Sequence, residues 1–99
     1  MEVSNDSRLV PTNVEVRALD DRGVIVDTRS GKCWELNAVG FAIWQQIAAG
    51  RSVGETVDAV GAGYAVPADT LRADVVSFVR SLLNEGLATL QAGNDGAIR

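Results

Sequence analysis

The sequence predicts an α+β fold in which a three-stranded antiparallel sheet precedes three helices. Two observations lead to this fold class. Between residues 12 and 36, apolar and polar residues alternate in three short runs separated by turn-forming residues, which is the pattern of an antiparallel meander. From residue 38 onward, apolar residues recur every three or four positions, which is the period of amphipathic helices. Together these elements make a winged-helix-like arrangement.

The chain length fits a single domain. With 99 residues, of which 46% are hydrophobic, the chain can bury one modest core. Residues 1–11 are mostly polar and end at a proline, so we expect a flexible N-terminal segment there. The folded domain is predicted over 12–90. The small and polar residues 91–99 are predicted to form a disordered tail.

Tight turns join the three predicted strands. The first strand is expected from Thr12 to Leu19, and residues 20–23 have the composition of a turn. The second strand is predicted over 24–28 and is followed by a further turn at 29–32. The third strand then continues to Leu36.

The third strand has the pattern of a half-buried strand at the end of a sheet. Trp34 and Leu36 alternate with Cys33 and Glu35, so the first pair is expected to face inward and the second pair outward. As the last strand of the meander it has an open edge with unpaired N–H and C=O groups. Such an edge can bind an extended peptide.

The first two helices carry recognisable capping signals. Asn37 stands directly before the first helix, predicted over 38–49, and its side chain can accept an N–H of the first turn. Ser52 and Glu55 fit a capping box at the start of the second helix. That helix is expected to break at the glycines within 61–63.

The third helix is predicted from Pro67 to Glu85 and has more apolar residues than one core contact requires. Its apolar residues form two neighbouring stripes. One consists of Leu71, Val75, Phe78 and Leu82, and the other of Val76, Val79 and Leu83, extended by Arg72. Either both stripes are buried, or one faces the core and the other lines a groove. Residues 87–90 either pack on the core or add a strand.

The charge of the chain argues against a nucleic-acid partner. The chain has 13 acids, 9 bases and no histidine, which gives a net charge of −4. Acids also outnumber bases on the polar face of the third helix, and this face would repel phosphate if it entered a DNA groove. A winged-helix DNA-binding regulator is therefore the less favoured alternative.

Residues suited to catalysis or metal binding are scarce. The single cysteine, Cys33, has no histidine to activate it, and the acids show no metal-ligand spacing. We therefore expect a protein that is not an enzyme and has no metal or other cofactor. The N-terminus lacks a secretion signal, and no apolar run approaches the length of a membrane span. This predicts a cytoplasmic protein without membrane contact.

Five segments of the chain occur in a recognisable order, namely 23–27, 31–37, 43–44, 74–79 and 82–87. The sharpest is the aromatic-x-Leu-Asn step at Trp34-Glu35-Leu36-Asn37. In order and spacing the segments resemble the PqqD-like family, the recognition domains of ribosomally made peptide natural-product pathways, over about residues 12–90. A stand-alone chain of this length is most similar to the leader-binding proteins of lasso-peptide biosynthesis.

This resemblance implies a non-catalytic adaptor. Family members bind the leader segment of a precursor peptide as an added strand against the third strand, beside the third helix, and present it to processing enzymes. In lasso pathways these partners are a leader peptidase and a macrolactam cyclase that uses ATP. The nearest alternative is a PqqD-type carrier of a precursor peptide to a radical SAM enzyme. Another is a small subunit that only stabilises a partner enzyme.

The resemblance also places the peptide site. The residues carried over are Lys32, Cys33, Trp34 and Glu35 on the third strand and Arg72, Val75, Val76, Val79 and Arg80 on the third helix. It leaves open which flank of the helix meets the peptide, and Asp74 and Phe78 represent the other flank. The open strand edge also permits a homodimer formed edge to edge.

Overall fold

Eight secondary-structure elements lie within residues 3–91, the part of the chain that the computed structural model describes. In chain order they are β1 (Leu9–Pro11), β2 (Val14–Leu19), β3 (Arg22–Asp27), β4 (Cys33–Leu36), α1 (Ala38–Ala48), α2 (Val53–Gly63), α3 (Ala68–Asn84) and β5 (Ala88–Leu90). Strands β2, β3 and β4 form an antiparallel sheet in that order, and three helices follow. This confirms the predicted α+β fold, with β4 as the third strand of the meander.

The inner face of this sheet is built from alternate residues of each strand. Val16, Ile25 and Trp34 are direct neighbours across β2, β3 and β4. Ile25 is only 2% exposed, and the other two are half-buried against the core. Trp34 therefore faces inward, as predicted, whereas Cys33 and Glu35 are exposed on the outer face.

A glycine bulge closes the turn between β3 and β4. Gly31 has a φ of 81° and donates its N–H to the carbonyl of Asp27 at 2.8 Å. The N–H of Asp27 donates in turn to the carbonyl of Lys32 at 2.8 Å. Two residues of one strand thus oppose one residue of the other, which is the geometry of a G1 bulge. The bulge determines which backbone groups of β4 point towards β3.

Helix α1 packs closely on β3 because Gly23 has no side chain. A Cβ atom at this position would lie 2.5 Å from Cδ1 of Phe41, which is too close for two carbon atoms. The glycine therefore lets the aromatic ring of Phe41 lie directly on the backbone of β3. This contact fixes the position of α1 relative to the sheet.

The predicted caps of α1 and α2 are confirmed. The side chain of Asn37 accepts the N–H of Gly40 at 2.8 Å. At the start of α2, Ser52 Oγ accepts the N–H of Glu55 at 3.1 Å, and Glu55 Oε1 accepts the N–H of Ser52 at 2.9 Å. These bonds satisfy N–H groups that have no partner inside the helix.

The segment predicted to be flexible over 1–11 contains a strand, which corrects that prediction. Strand β1 pairs antiparallel with β5, so that Leu9 lies opposite Leu90. Leu9 is 2% exposed and belongs to the core. The polar composition of the segment hid this one buried side chain. Residues 87–90 were predicted either to pack on the core or to add a strand, and they do both. Ala88–Leu90 forms β5, and Leu87 and Ala88 belong to the core.

The residues ahead of β1 run along the start of α2. The N–H groups of Val53 and Gly54 donate to the carbonyls of Ser7 and Asn5, each at 2.9 Å. Arg8 donates to the carbonyl of Gly50 at 2.6 Å. Backbone carbonyls are available in any polar segment, so composition alone did not indicate this attachment.

The core lies between the inner face of the sheet and the three helices. Its largest fully buried side chains are Ile25, Ile47, Val53, Leu71, Val75, Val79 and Thr56. Of the predicted tail, Gln91 donates its N–H to the carbonyl of Arg8 at 2.7 Å, and residues 92–99 lie outside the described part of the chain. Within residues 3–91, no helix combines the length and apolar character needed to cross a membrane.

Candidate functional site

A cleft lies between the open edge of β4 and helix α3. One depression in this cleft has a volume of about 220 Å³. The lining residues are Ile25, Trp34, Glu35 and Leu36 from the sheet, Phe78, Ser81, Leu82 and Glu85 from the region of α3, and Leu87. Most of these side chains are apolar, so the floor of the cleft suits an apolar side chain of a ligand.

The free edge of β4 forms one wall of this cleft. Because the backbone of Lys32 bonds to Asp27, antiparallel alternation makes Trp34 the next residue that bonds to β3. Cys33 and Glu35 therefore direct their N–H and C=O groups away from β3. Within residues 3–91, no further strand pairs with this edge. These backbone groups are available to an added strand.

One flank of α3 forms the opposite wall. Asp74, Phe78, Ser81 and Glu85 follow one another at helical spacing and share this flank. A second depression of about 350 Å³ adjoins the first, because Phe78 lines both. Its other lining residues are Asn37, Val39, Gly40, Ile43, Val66 and Asp74. The cleft therefore continues along α3 past Phe78 towards the start of α1.

Arg29 connects the two walls at one end of the cleft. It lies in the turn between β3 and β4, and its Nη2 donates to the carbonyls of Glu85 at 3.2 Å and Gly86 at 3.4 Å. These carbonyls follow the last turn of α3, where the helix leaves acceptors without partners. The turn that leads into β4 is thereby attached to the C-terminal end of α3.

Asp27 holds Arg29 in this position. Its Oδ1 accepts the backbone N–H of Arg29 at 2.9 Å and lies 3.4 Å from Nε of the same residue. The backbone hydrogen bond is the main reason why the pKa of Asp27 is lowered from its ordinary value of 3.8, although burial acts in the opposite direction. Asp27 is therefore a charged support for the connection between the walls.

The predicted strand residues all lie at or beside the cleft. Trp34 and Glu35 line it, and Cys33 lies on the free edge. Lys32 directly precedes β4 and is exposed, and its backbone N–H donates to Ser30 Oγ at 3.2 Å. The strand half of the predicted site is thus brought together.

The predicted helix residues are not brought together at the cleft, and we correct their placement. Val75 and Val79 are 0% exposed and belong to the core, so they offer no surface to a ligand. Arg72 donates to the side chain of Asn5, and Arg80 lines another depression together with Val3. Helical spacing places Val76 on the same far flank as Arg72 and Arg80.

The alternative flank, represented by Asp74 and Phe78, is the one that faces the cleft. Sequence reasoning missed Ser81 and Glu85 on this flank, as well as Leu36 and the other apolar residues of the floor. Once Phe78 is placed in the cleft, positions three and seven residues later follow from the helical period. The missing information was which flank faces β4.

The sequence model of the family described as coenzyme PQQ synthesis protein D (PqqD) matches residues 22–88. The chain belongs to the PqqD family. The matched residues extend from the start of β3 into β5 and include both walls of the cleft. No curated protein matches the chain.

Two solved structures are similar to this PqqD-family chain. One is described as TbiB1 in complex with the TbiA(beta) leader peptide; it is 32% identical, covers 85% of this chain and 98% of its own, and has a TM-score of 0.73. The other is described as lasso peptide synthetase B1 complexed with the leader peptide, with 30% identity, the same coverage of 85% and 98%, and a TM-score of 0.70. Both were solved in complex with a leader peptide.

Proposed function

We propose that this protein is a non-catalytic adaptor that binds the leader region of a ribosomally made precursor peptide. The leader adds as a strand to the free edge of β4, beside α3. The adaptor then presents the precursor to the leader peptidase and the macrolactam cyclase of a lasso-peptide pathway. Because that cyclase uses ATP, we place this step in the cytoplasm.

The observation that carries the proposal is the free edge of β4 next to an apolar cleft, in a member of the PqqD family. The two similar solved proteins, each in complex with a leader peptide, support this use of the cleft. An unpaired edge alone offers the same hydrogen bonds to any extended chain. The depressions beside it add selection, because only side chains of suitable size and polarity fill them.

Affinity in this arrangement comes from two sources. Cys33 and Glu35 supply backbone hydrogen bonds, which hold the peptide in an extended conformation. Apolar leader side chains then bury themselves against Trp34, Phe78 and Leu82, and each well-buried side chain contributes about 1.5–3 kcal/mol. Binding in one register exposes the rest of the precursor to the processing enzymes.

A PqqD-type carrier that delivers a precursor peptide to a radical SAM enzyme is the second candidate. The description of the matching family, a coenzyme PQQ synthesis protein, favours it. Both candidates use the same cleft and differ in the enzyme that receives the peptide. Pull-down of the adaptor and precursor with each class of enzyme encoded beside the gene separates them.

The direct test is fluorescence anisotropy with a labelled leader peptide from the precursor encoded beside the gene. We expect saturable binding, and we expect Phe78→Ala to weaken it roughly tenfold or more, since it removes a buried contact of about 1.5–3 kcal/mol. Val76→Ala is the matched control, because Val76 is also a half-buried apolar residue of α3 but lies on the far flank. Circular dichroism checks the fold of both variants. Equal affinities for the two variants would falsify the assignment of the cleft flank.

A further inference from the structure

Helix α3 separates its charges between its two flanks. Asp74 and Glu85 lie on the flank that lines the cleft. Arg72 and Arg80 lie on the far flank, towards the N-terminal segment. The cleft wall is therefore acidic on α3, although its floor is apolar.

Neither acid of the cleft wall is neutralised within the described part of the chain. The ion pairs among residues 3–91 are Arg8 with Glu55 and Arg29 with Asp27. Arg29 approaches Glu85 through the backbone carbonyl rather than the carboxylate. Asp74 and Glu85 are both exposed and so can meet a ligand. On the strand side, Lys32 and Glu35 carry opposite charges, and Arg29 at the end of the cleft is paired with Asp27, so the acids of α3 give the cleft its negative charge.

The spacing of the two acids fits an extended peptide. They are eleven positions apart in α3 and its C-terminal cap, which corresponds to about 16 Å along the helix axis. An extended strand rises about 3.3 Å per residue, so about five residues cover this distance. The two acids also point to the same side of the helix, because eleven positions are close to three full turns. Side chains an even number of positions apart share one face of a strand, so residues about four or about six positions apart, which span about 13 or about 20 Å, can contact both acids.

We propose that the cleft selects leader segments with two basic side chains about four or about six positions apart, one facing Asp74 and the other facing Glu85. The inference rests on the proposed function and specifies the chemistry of its ligand. The apolar depressions hold the anchoring side chains, and the two acids set the register of the strand between them. Like-charged segments of the same hydrophobicity are repelled, which gives selectivity.

Exposed charge pairs have modest individual effects. We expect Asp74→Asn and Glu85→Gln each to weaken leader binding roughly two- to fivefold, and the double variant to lose roughly the product of these factors. The losses should be largest in about 50 mM NaCl and nearly absent in about 500 mM NaCl, since salt screens exposed charges. Most of the effect is expected in the association rate.

The test measures binding of the labelled leader from the neighbouring precursor gene to these variants at both salt concentrations. Asp58→Asn, which removes an exposed carboxylate from α2, is the matched control and should bind like the wild type. The basic leader residues are replaced with glutamine in turn, and a double-mutant cycle should couple one of them to Asp74 and the other to Glu85.

The outcomes separate this inference from the proposed function. If the wild type binds the leader, Phe78→Ala weakens binding, and both charge variants bind like Asp58→Asn, the charge selection is wrong and the adaptor function stands. The same conclusion follows if the leader that binds lacks two basic residues at this spacing. If the folded wild type binds no leader peptide, both the function and this inference are overturned.

Discussion

At the scale of single residues, Arg29 has the most direct influence on the geometry of the cleft. Its guanidinium joins the turn before β4 to the carbonyls at the end of α3. Gly86, one of its acceptors, has a φ of 76°, and a Cβ there would lie 2.8 Å from Nη2 of Arg29. Both the backbone conformation and the contact with Arg29 thus favour glycine at this position.

We predict that Arg29→Ala lowers the free energy of unfolding by about 0.5–1.5 kcal/mol, because it leaves the carbonyls of Glu85 and Gly86 without this donor. Leader binding should also weaken, since the walls lose their connection. Urea unfolding and anisotropy titration measure the two effects. Arg17→Ala is the control, because Arg17 is exposed on β2 and takes part in neither of the ion pairs described. Identical behaviour of the two variants contradicts the role given to Arg29.

The contribution of Asp27 to the stability of the fold is expected to depend on pH. Its folded-state pKa lies below its ordinary value of 3.8, so its charge stabilises the fold above that pH and the stabilisation is lost as pH falls through the folded-state pKa. Asp27→Asn should therefore be less stable than the wild type at neutral pH. The difference should shrink below about pH 4. Urea unfolding at a series of pH values tests this, and a difference independent of pH would refute it.

At the scale of elements, the edge of β4 and the flank of α3 together form the proposed peptide site. The proposed hydrogen bonds to the peptide come from residues whose backbone faces away from β3, which the bulge at Gly31 determines. The edge is therefore sensitive to the loss of a single donor. Proline tests this, because it removes the N–H and is tolerated in edge strands.

Glu35→Pro should fold and yet bind the leader at least about tenfold more weakly, because the lost bond and the bulk of the ring act together at the free edge. Glu35→Ala keeps the N–H and should retain most of the affinity. Anisotropy gives the affinities, and circular dichroism shows whether the sheet is intact. A proline variant that is folded and binds as tightly as the alanine variant excludes strand addition at this edge.

Local patterns in the sequence predict most elements correctly. The alternation at Trp34, the cap at Asn37 and the capping box at Ser52 depend on neighbours in sequence, and all three are confirmed. The flank of α3 could not be predicted in this way, because both flanks carry apolar residues. Which of them is covered depends on contacts such as that of Arg72 with Asn5, far apart in the chain.

Strand β1 could not be predicted from local patterns either. Three residues cannot be identified as a strand from periodicity, and their partner lies at the other end of the described chain. The β5 segment alone left both a strand and simple packing open. The pairing with β1 shows that this segment forms a strand and also packs on the core.

At the scale of the whole molecule, β1 and β5 form a two-stranded ribbon that contributes Leu9 and Ala88 to the core. Leu9 is the buried residue of β1, whereas its neighbour Val10 is 46% exposed. The chain before β1 is attached to the start of α2 through backbone hydrogen bonds. The stability of the helices therefore depends on residues outside the segment that the PqqD family model matches.

Leu9→Ala should lower the free energy of unfolding by about 2–5 kcal/mol, because it leaves a cavity in the core. Val10→Ala, one position along the same strand, should change it by less than about 0.5 kcal/mol. Chemical unfolding of both variants measures the difference. Similar values for the two positions would show that the ribbon does not contribute to the core as described.

The ribbon of β1 and β5 also allows the chain to be connected in a different order. Since Leu9 pairs with Leu90, the two ends of the segment 9–90 are neighbours in the fold. A short linker can therefore join residue 90 to residue 9, with loss of the attachment of residues 5–8 to α2, and new ends can be opened at the exposed turn of Asp20 and Asp21 without interrupting either cleft wall. The same proximity makes the domain suited to insertion into a loop of a larger enzyme, where recognition and processing would share a single chain.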